Sequence, residues 1–460
     1  MPLPSVWYQR IVFESVGRIC FGEGIPVRPV LPIEGFSFRG GELFCESVPL
    51  SRLAEVYGTP LYVYSHAEIR RRFQELQAAL SAVDHLICYA VKANGNLAVL
   101  RALFRMGAGA DIVSGGELFR AVRAGVAPDR IVFAGVGKRP DEIELALKTG
   151  VRLFNVESLP EAEAIGRVAE RLGVRAPVAL RVNPDVDPET HAYTTTGKRG
   201  TKFGVDLDQA LAAYHKMREL SGLEVRGIHA HIGSPVRSLE AYSLALDRLL
   251  GLLDRLRRDG FTIDTLNLGG GFPIRYREDE AIFTPEEYAK RLLPRIRESG
   301  CTLIVEPGRY LVGNAGVLLT EVIYRKETPE KTFLIVDAAM TELIRPALYG
   351  SFHHIYPVCE LGSGEERVDV VGPVCETGDF FAKDRMLPRS QAGTLLAIFS
   401  AGAYGFVMAS NYNARPRPAE VLVMDDRHYL VRERESYEDL IRGERIPEEL
   451  WDDGREETER

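Results

Sequence analysis

From about Ser51 to about Thr320 the chain repeats one pattern: a short apolar run, then an amphipathic segment that usually closes on glycine. The runs are LICYAVKA, ADIVSGG, RIVFAGVG, RLFNVES, PVALRVNP, VRGIHAHIGS, TLNLGGGF and TLIVEPGR. Between them lie segments such as GELFRAVRAG, LPEAEAIGRVAERLG and PEEYAKRLLPRIRESG, whose apolar residues recur at three and four positions. That spacing is one face of a helix, and glycine past the last turn stops it. Eight strands, each followed by a helix, is the sequence form of a (β/α)8 barrel. A doubly wound open sheet is the alternative, but eight units in one run favour closure.

Outside that stretch the pattern changes. TEVIYRK, KTFLIVDAA, RVDVVGPVC, TLLAIFSAGAY and EVLVMDDRHYLVRER read as strands joined by turn residues, and the first fifty residues are also strand-like. The expected fold is α/β: a TIM-type barrel over residues 53–320 inserted into a second, mostly β domain of barrel or sandwich type. That domain is built from residues 1–52 and 321–450, and a charged tail at 451–460 frays. The long polar loop after the fifth strand, DVDPETHAYTTTGKRGTKFG, has the length and composition of a functional loop.

Bulk properties exclude several classes. The 460 residues carry a net charge of −8 and no basic block, so no nucleic-acid partner is expected. No apolar run is long enough to span a membrane, and the first residues lack the basic and apolar regions of a secretory signal. The six cysteines show no C-x-x-C pair, which argues against a zinc site or a disulfide framework. A cytoplasmic protein with reduced thiols is the expectation.

The chemically unusual residues sit where the barrel strands end, the face that carries the active site in this fold. Lys92 interrupts CYAVKANGN and is the only lysine read at a barrel strand end. Its plain reading is a solvent-seeking side chain; its functional reading is an amine that forms a Schiff base. Asp111 ends the second strand. Gly269, Gly270 and Gly271 in LGGGF remove three side chains, and HIGS adds Ser234, which together suit a phosphate. The plain alternative for the glycines is a tight turn. Glu306 can keep a pyridine nitrogen protonated, with an ion pair to Arg309 as its plain alternative, and His231 can stack on a ring. An aldehyde, a phosphate and a pyridine nitrogen together describe pyridoxal 5'-phosphate. His229 and His231 form an H-x-H pair of the kind that binds metal, but no other histidine lies at a barrel strand end, so no metal is expected.

The motifs YAVKAN, ADIVSGGEL, HIGS, NLGGGFPI, EPGRYLVGNAG, DAAMTELIRPALYG, CETGD and GAYG resemble diaminopimelate decarboxylase, of the fold type III pyridoxal-phosphate decarboxylases with an alanine-racemase-like barrel. The resemblance runs from about Leu53 to about Glu444. It implies decarboxylation of meso-2,6-diaminopimelate to L-lysine, the last step of lysine biosynthesis. It also implies roles. Lys92 binds the cofactor aldehyde and His231 stacks on the ring. Asp111, Ser234, Gly269, Gly270, Gly271, Glu306, Pro307, Gly308, Arg309 and Tyr404 surround the cofactor. Arg309, Arg345, Tyr349, Glu376 and Tyr404 bind the substrate. Cys375 returns a proton to carbon, from the neighbouring subunit of a homodimer with shared active sites. The sequence departs from the family at Pro235, where glutamine is expected, and at Thr377, where serine is common. The alternatives are a sister decarboxylase acting on ornithine, arginine or carboxynorspermidine, a non-catalytic regulatory homologue, and a metal-dependent barrel hydrolase.

Overall fold

The computed structural model describes residues 35–187, 200, 202–362 and 364–450. Eight parallel strands form the barrel: β1 (His85–Ala90), β2 (Gly109–Ile112), β3 (Ile131–Phe133), β4 (Leu153–Val156), β5 (Ala176–Asn183), β6 (Leu223–His229), β7 (Thr265–Asn267) and β8 (Thr302–Val305). Each pairs with the next in sequence, and β8 pairs back to β1, so the sheet closes as expected. Its interior is plugged by Leu86 and Cys88 from β1, Val132, Leu153, Ala179 and Ile304. A filled interior leaves the strand ends as the place for chemistry.

The helix boundaries follow from local chemistry. Ser114, Ser158 and Thr284 accept hydrogen bonds from the backbone N–H groups of Glu117, Glu161 and Glu287, capping the helices Gly115–Arg123, Leu159–Leu172 and Pro285–Ser299. Gly150, Gly173 and Gly300 end their helices in the left-handed conformation that the closing glycines of the sequence pattern suggest.

The second domain is mostly β. Its sheet runs Phe380–Pro388, Glu365–Val371, Thr332–Val336, Gly316–Glu327, Leu61–Ser65, Ala419–Met424 and Arg427–Arg432. Ile355–Pro357 and Leu395–Ile398 branch from its long central strand. Leu61–Ser65 lies inside the stretch read from sequence as barrel, yet it pairs antiparallel with Gly316–Glu327 and parallel with Ala419–Met424. The physical reason is that all five residues are buried, so their backbone N–H and C=O groups need a strand on either side. Gly316–Glu327 likewise runs across residue 320 without a break, because its apolar run is continuous from the last barrel turn. Three short strands over Phe36–Pro49 pair with one another, and Phe36, Leu43, Cys45 and Val48 share a core with Leu61, Val63, Val317 and Val421. The remainder of the N-terminal segment, most of the loop after β5 and the charged tail lie outside the described residues.

Candidate active site

β1 ends at Ala90, and one tight turn over Val91–Ala93 delivers Lys92 to the barrel mouth. Its Nζ lies 2.9 Å from Asp111 Oδ2, near the end of the fully buried strand β2. Burial favours the neutral amine, but Asp111, Tyr404 and Glu306 outweigh it and hold the ammonium above its ordinary range. Asp111 is itself pushed upward, by burial and by Glu306, against the pull of Lys92. Lys138, just past β3, is a second lysine at the mouth, which the sequence reading missed. It is fully buried and donates to Gly135 O, Asn155 O and Glu161 Oε1 at 2.9, 2.8 and 2.6 Å. All three of its protons are committed, so Lys92 is the amine that can face a ligand.

Glu306 follows β8 and sits on the floor of the mouth. Its Oε1 accepts from Asn267 Nδ2 at 2.6 Å and Asn155 Nδ2 at 3.0 Å, while His229 Nε2 approaches Oε2 at 3.4 Å. No Glu306–Arg309 ion pair forms among these contacts; Arg309 turns instead to Tyr276 and Ser234. Burial alone would raise the Glu306 carboxyl, but His229, Lys92 and the Asn267 amide hold it well below the usual carboxylate range. Asn155 and Asn267 were not singled out from sequence. Their signal was present: each is an amide inside an otherwise apolar barrel strand, and both are fully buried.

The glycine turn is built by close approach. A Cβ on Gly270 would lie 2.3 Å from the Glu306 carbonyl oxygen, and one on Gly271 would lie 2.6 Å from that of Gly233. Gly269 and Gly271 also hold φ of +67° and +102°. Two of the three turn N–H groups are already engaged: Gly269 donates to Asn267 Oδ1 at 2.9 Å, and Gly270 to His231 Nδ1 at 3.1 Å. Gly271 N–H, the Ser234 hydroxyl and the Arg309 guanidinium remain to meet an anion. His231 accepts that hydrogen bond as a neutral ring, since burial, Arg181 and Lys92 press its pKa well down.

Lys92, His231, Ser234, Gly270, Gly271, Glu306, Gly308, Arg309 and Tyr404 line a single cavity. Asp111, Gly269 and Pro307 support it from behind, through Lys92, His231 and the Ala90 N–H that donates to Pro307 O at 3.1 Å. Tyr404 holds φ of +55°, pinned by a 2.8 Å hydrogen bond from its N–H to Ala93 O, and the Arg309 guanidinium stands 5.0 Å over its ring. A non-glycine residue in that region costs about 1–3 kcal/mol, a strain typical of functional positions.

Arg309 and Arg345 are both buried, and no carboxylate of the described residues pairs with either. Both donate to one phenolic oxygen, Tyr276 Oη, at 2.7 and 3.2 Å. Arg345 also donates to Ser351 Oγ at 3.1 Å and stands 5.8 Å over the Tyr349 ring. Tyr276 is a further residue that the sequence reading passed over. Cys375 and Glu376 are placed elsewhere. Both are exposed and neither lines the cavity. Cys375 N–H donates to Asn413 Oδ1 at 3.1 Å, and Glu376 Oε1 accepts from Tyr412 Oη at 2.6 Å.

Residues 66–313 match the family model described as pyridoxal-dependent decarboxylase, pyridoxal binding domain. The chain is 52% identical over 414 residues to a diaminopimelate decarboxylase of Pseudomonas aeruginosa, covering 90% of this chain and 99% of that one. The chain belongs to the diaminopimelate decarboxylase family. A crystal structure of diaminopimelate decarboxylase from Helicobacter pylori complexed with L-lysine matches with a TM-score of 0.83 and 40% identity, over 85% of this chain and 98% of that one. One from M. jannaschii, also with L-lysine, gives 0.87 and 37%, over 91% and 99%.

The cofactor of this family is pyridoxal phosphate, and the chemistry of the residues around the cavity suits it. The turn glycines leave no room for a Cβ, Glu306 is ionised on the floor, His231 is a flat neutral ring, and the buried Asp111 Oδ1 and Arg309 Nε have no partner among the described residues. The H-x-H pair serves this arrangement: one histidine faces Glu306 and the other the glycine turn. Among the described residues no three His, Cys, Asp or Glu side chains gather as a metal site, and no helix is long and apolar enough to cross a membrane.

Proposed function

We propose that this chain decarboxylates meso-2,6-diaminopimelate to L-lysine and carbon dioxide, the last step of lysine biosynthesis. One observation carries the reading: Arg309 shares the Lys92 cavity and is linked through Tyr276 Oη to a second buried guanidinium, Arg345, and no carboxylate of the described residues pairs with either. A site with an amine-handling end and an unmatched cationic end suits a diamino acid that keeps a second carboxylate. Ornithine and lysine have no second carboxylate, so decarboxylating either would leave a buried arginine unpaired, which costs about 1–3 kcal/mol or more.

When bound, pyridoxal phosphate supplies an aldehyde for the amine and a ring that accepts the electron pair left by departing carbon dioxide. The protein's part follows from its geometry. Lys92 must lose a proton before its amine can react, and Asp111 Oδ2 at 2.9 Å, with its raised proton affinity, is placed to take it. Glu306, held ionised, keeps a proton on the ring nitrogen. His231 supports the ring face, while Ser234, Gly269–Gly271, Pro307, Gly308, Arg309 and Tyr404 surround the cofactor. Arg309, Arg345 and Tyr349 grip the carboxylate farthest from the reacting carbon. Glu376 binds the distal ammonium and Cys375 delivers the proton that replaces carbon dioxide, both reaching into the barrel of the neighbouring subunit of a homodimer. The exposure of these two residues supports that arrangement. Free cysteines at 45, 88, 301, 359 and 375 suit the reducing cytoplasm, where we place the enzyme.

The test is carbon dioxide release from diaminopimelate, lysine, ornithine, arginine and carboxynorspermidine with added pyridoxal phosphate. Diaminopimelate alone should turn over efficiently. Arg345→Ala should cut kcat/KM for it by an amount on the order of a few kcal/mol while cofactor affinity stays unchanged. Comparable kcat/KM on ornithine or arginine would replace this reading with the sister decarboxylase.

A further inference from the structure

Tyr276 lies beyond the glycine turn, in the segment Gly271–Arg277 that carries the chain out of β7. Its side chain is buried, with 9% of the residue exposed. It is fixed from several sides: its N–H donates to Glu280 Oε2 at 2.8 Å, and its ring meets His353 edge-on at 5.7 Å. Arg309 comes from the barrel and Arg345 from the β domain, so this one oxygen joins the two domains at the site.

A phenolic oxygen accepts two hydrogen bonds and donates one. Both acceptor positions of Tyr276 are filled by guanidinium N–H groups, and its own proton finds no acceptor among the described residues. Two like charges brought together in a buried place repel. An oxygen between them offsets part of that repulsion, and the free proton adds a third donor to the same spot. Three converging donors, two of them charged and each with a buried Nε left unmatched, await an anion with at least two oxygens. That anion is either the substrate carboxylate or the cofactor phosphate. The placement favours the carboxylate: neither Tyr276 nor Arg345 lines the cavity that holds Lys92 and the glycine turn, whereas Arg309 does.

We infer that Tyr276 is a specificity-determining residue: it holds Arg309 and Arg345 side by side and donates its hydroxyl proton to the substrate carboxylate that survives the reaction. The inference rests on the substrate reading given above. L-Lysine retains that carboxylate, and cadaverine, the same molecule without it, does not. The experiment measures binding of L-lysine and of cadaverine to the holoenzyme by calorimetry, alongside pyridoxal phosphate affinity and steady-state kinetics, for the wild type and Tyr276→Phe. The variant should bind L-lysine about 10- to 100-fold more weakly, the span of a lost hydrogen bond to a charged group. Cadaverine and cofactor affinity should stay within about twofold, and the loss on diaminopimelate should appear mainly in KM. Equal weakening of L-lysine and cadaverine would reduce Tyr276 to a packing residue. A matching loss of cofactor affinity would assign the three donors to the phosphate. Unchanged L-lysine binding would overturn the inference outright. Failure of the wild type to release carbon dioxide from diaminopimelate would instead sink the substrate reading, whatever Tyr276 does.

Discussion

The barrel mouth and the Cys375 segment are built on opposite plans. At the mouth, each group is held by a neighbour from another strand: Lys92 by Asp111, Glu306 by Asn155 and Asn267, His231 by Gly270. The parts are buried or half-buried and mutually fixed, and one chain supplies them all. The Cys375 segment is firm only underneath. Asp379 accepts the Val374 N–H at 2.7 Å and the Met340 N–H at 2.6 Å, which anchors the loop, while Cys375 and Glu376 project outward. Asn413 and Ala414, beside it, hold φ of +55° and +51°. A loop with an anchored base, strained support and exposed chemistry fits the reach into a neighbouring subunit proposed above. The difference teaches where preorganisation resides: the barrel mouth fixes its groups against one another, whereas the loop fixes its base and leaves Cys375 and Glu376 exposed.

The strongest way to separate the two regions is to remove one reactive group from each. Lys92→Ala should abolish carbon dioxide release and also the cofactor adduct that borohydride reduces. Cys375→Ala should slow turnover by about 10²–10⁴-fold, the usual worth of a positioned proton donor, with the adduct intact. Peptide mapping of the reduced protein checks the first half. Label on Lys138 rather than Lys92 would contradict the distinction between a saturated lysine and an available one.

Mixing those two variants attacks the comparison directly. If the loop serves its own barrel, every site in a Lys92→Ala/Cys375→Ala mixed dimer keeps one lesion. If it serves the partner's barrel, one site collects both lesions and the other is whole. Random co-assembly should then restore about a quarter of wild-type activity, since half the dimers are mixed and each has one good site. Verified mixed dimers without recovered activity would place Cys375 in its own subunit's chemistry or in none.

The two regions also differed in how readily the sequence disclosed them. The barrel was legible because eight repeats of one period admit few other folds, and because lysine, glycine triplets and glutamate are conspicuous at strand ends. Asn155, Asn267 and Tyr276 were less so. Each is an ordinary polar residue whose importance lies in a partner far along the chain, and no local pattern carries that information. Leu61–Ser65 misled for a related reason. A fully buried apolar run looks the same in a barrel as in a two-sided sheet, and only its partners Gly316–Glu327 and Ala419–Met424 decide. Cys375 was recognisable through its motif, while its exposure follows from the Asp379 anchor, a contact between side chain and backbone that composition cannot signal.

A milder substitution probes the anchor itself. Asp379→Asn keeps the shape but turns one of two accepting oxygens into a donor, facing either Val374 N–H or Met340 N–H. Losing a charge-assisted hydrogen bond costs about 1.5–3 kcal/mol locally. Turnover should fall about tenfold while cofactor affinity and the reduced adduct stay at wild-type levels. An equal fall in cofactor affinity would mean the loop and the mouth are one unit after all.

The smallest effect on turnover should come from Glu342, which lies under the same loop. It is buried, its Oε2 accepts from Ala339 N–H at 2.6 Å, its Oε1 from Thr341 Oγ1 at 3.0 Å, and Arg415 stands 3.7 Å away. Burial, with a contribution from Asp379, raises its carboxyl from 4.5 to about 7, against the lowering pull of Arg415 and these hydrogen bonds. The folded state therefore holds a proton that the unfolded chain has released between about pH 4.5 and 7. Stability contributed by this group is greatest below that window and falls as pH rises through it, by at most about 3 kcal/mol, then levels off. Glu342→Gln carries no charge at any pH, so its unfolding free energy should lose that slope and exceed the wild type most clearly above pH 7. Denaturant unfolding at a series of pH values between 4.5 and 8 measures it. Parallel wild-type and variant profiles would show that Glu342 is ionised throughout, paired with Arg415, and that the loop's foundation is as fixed in charge as the barrel mouth.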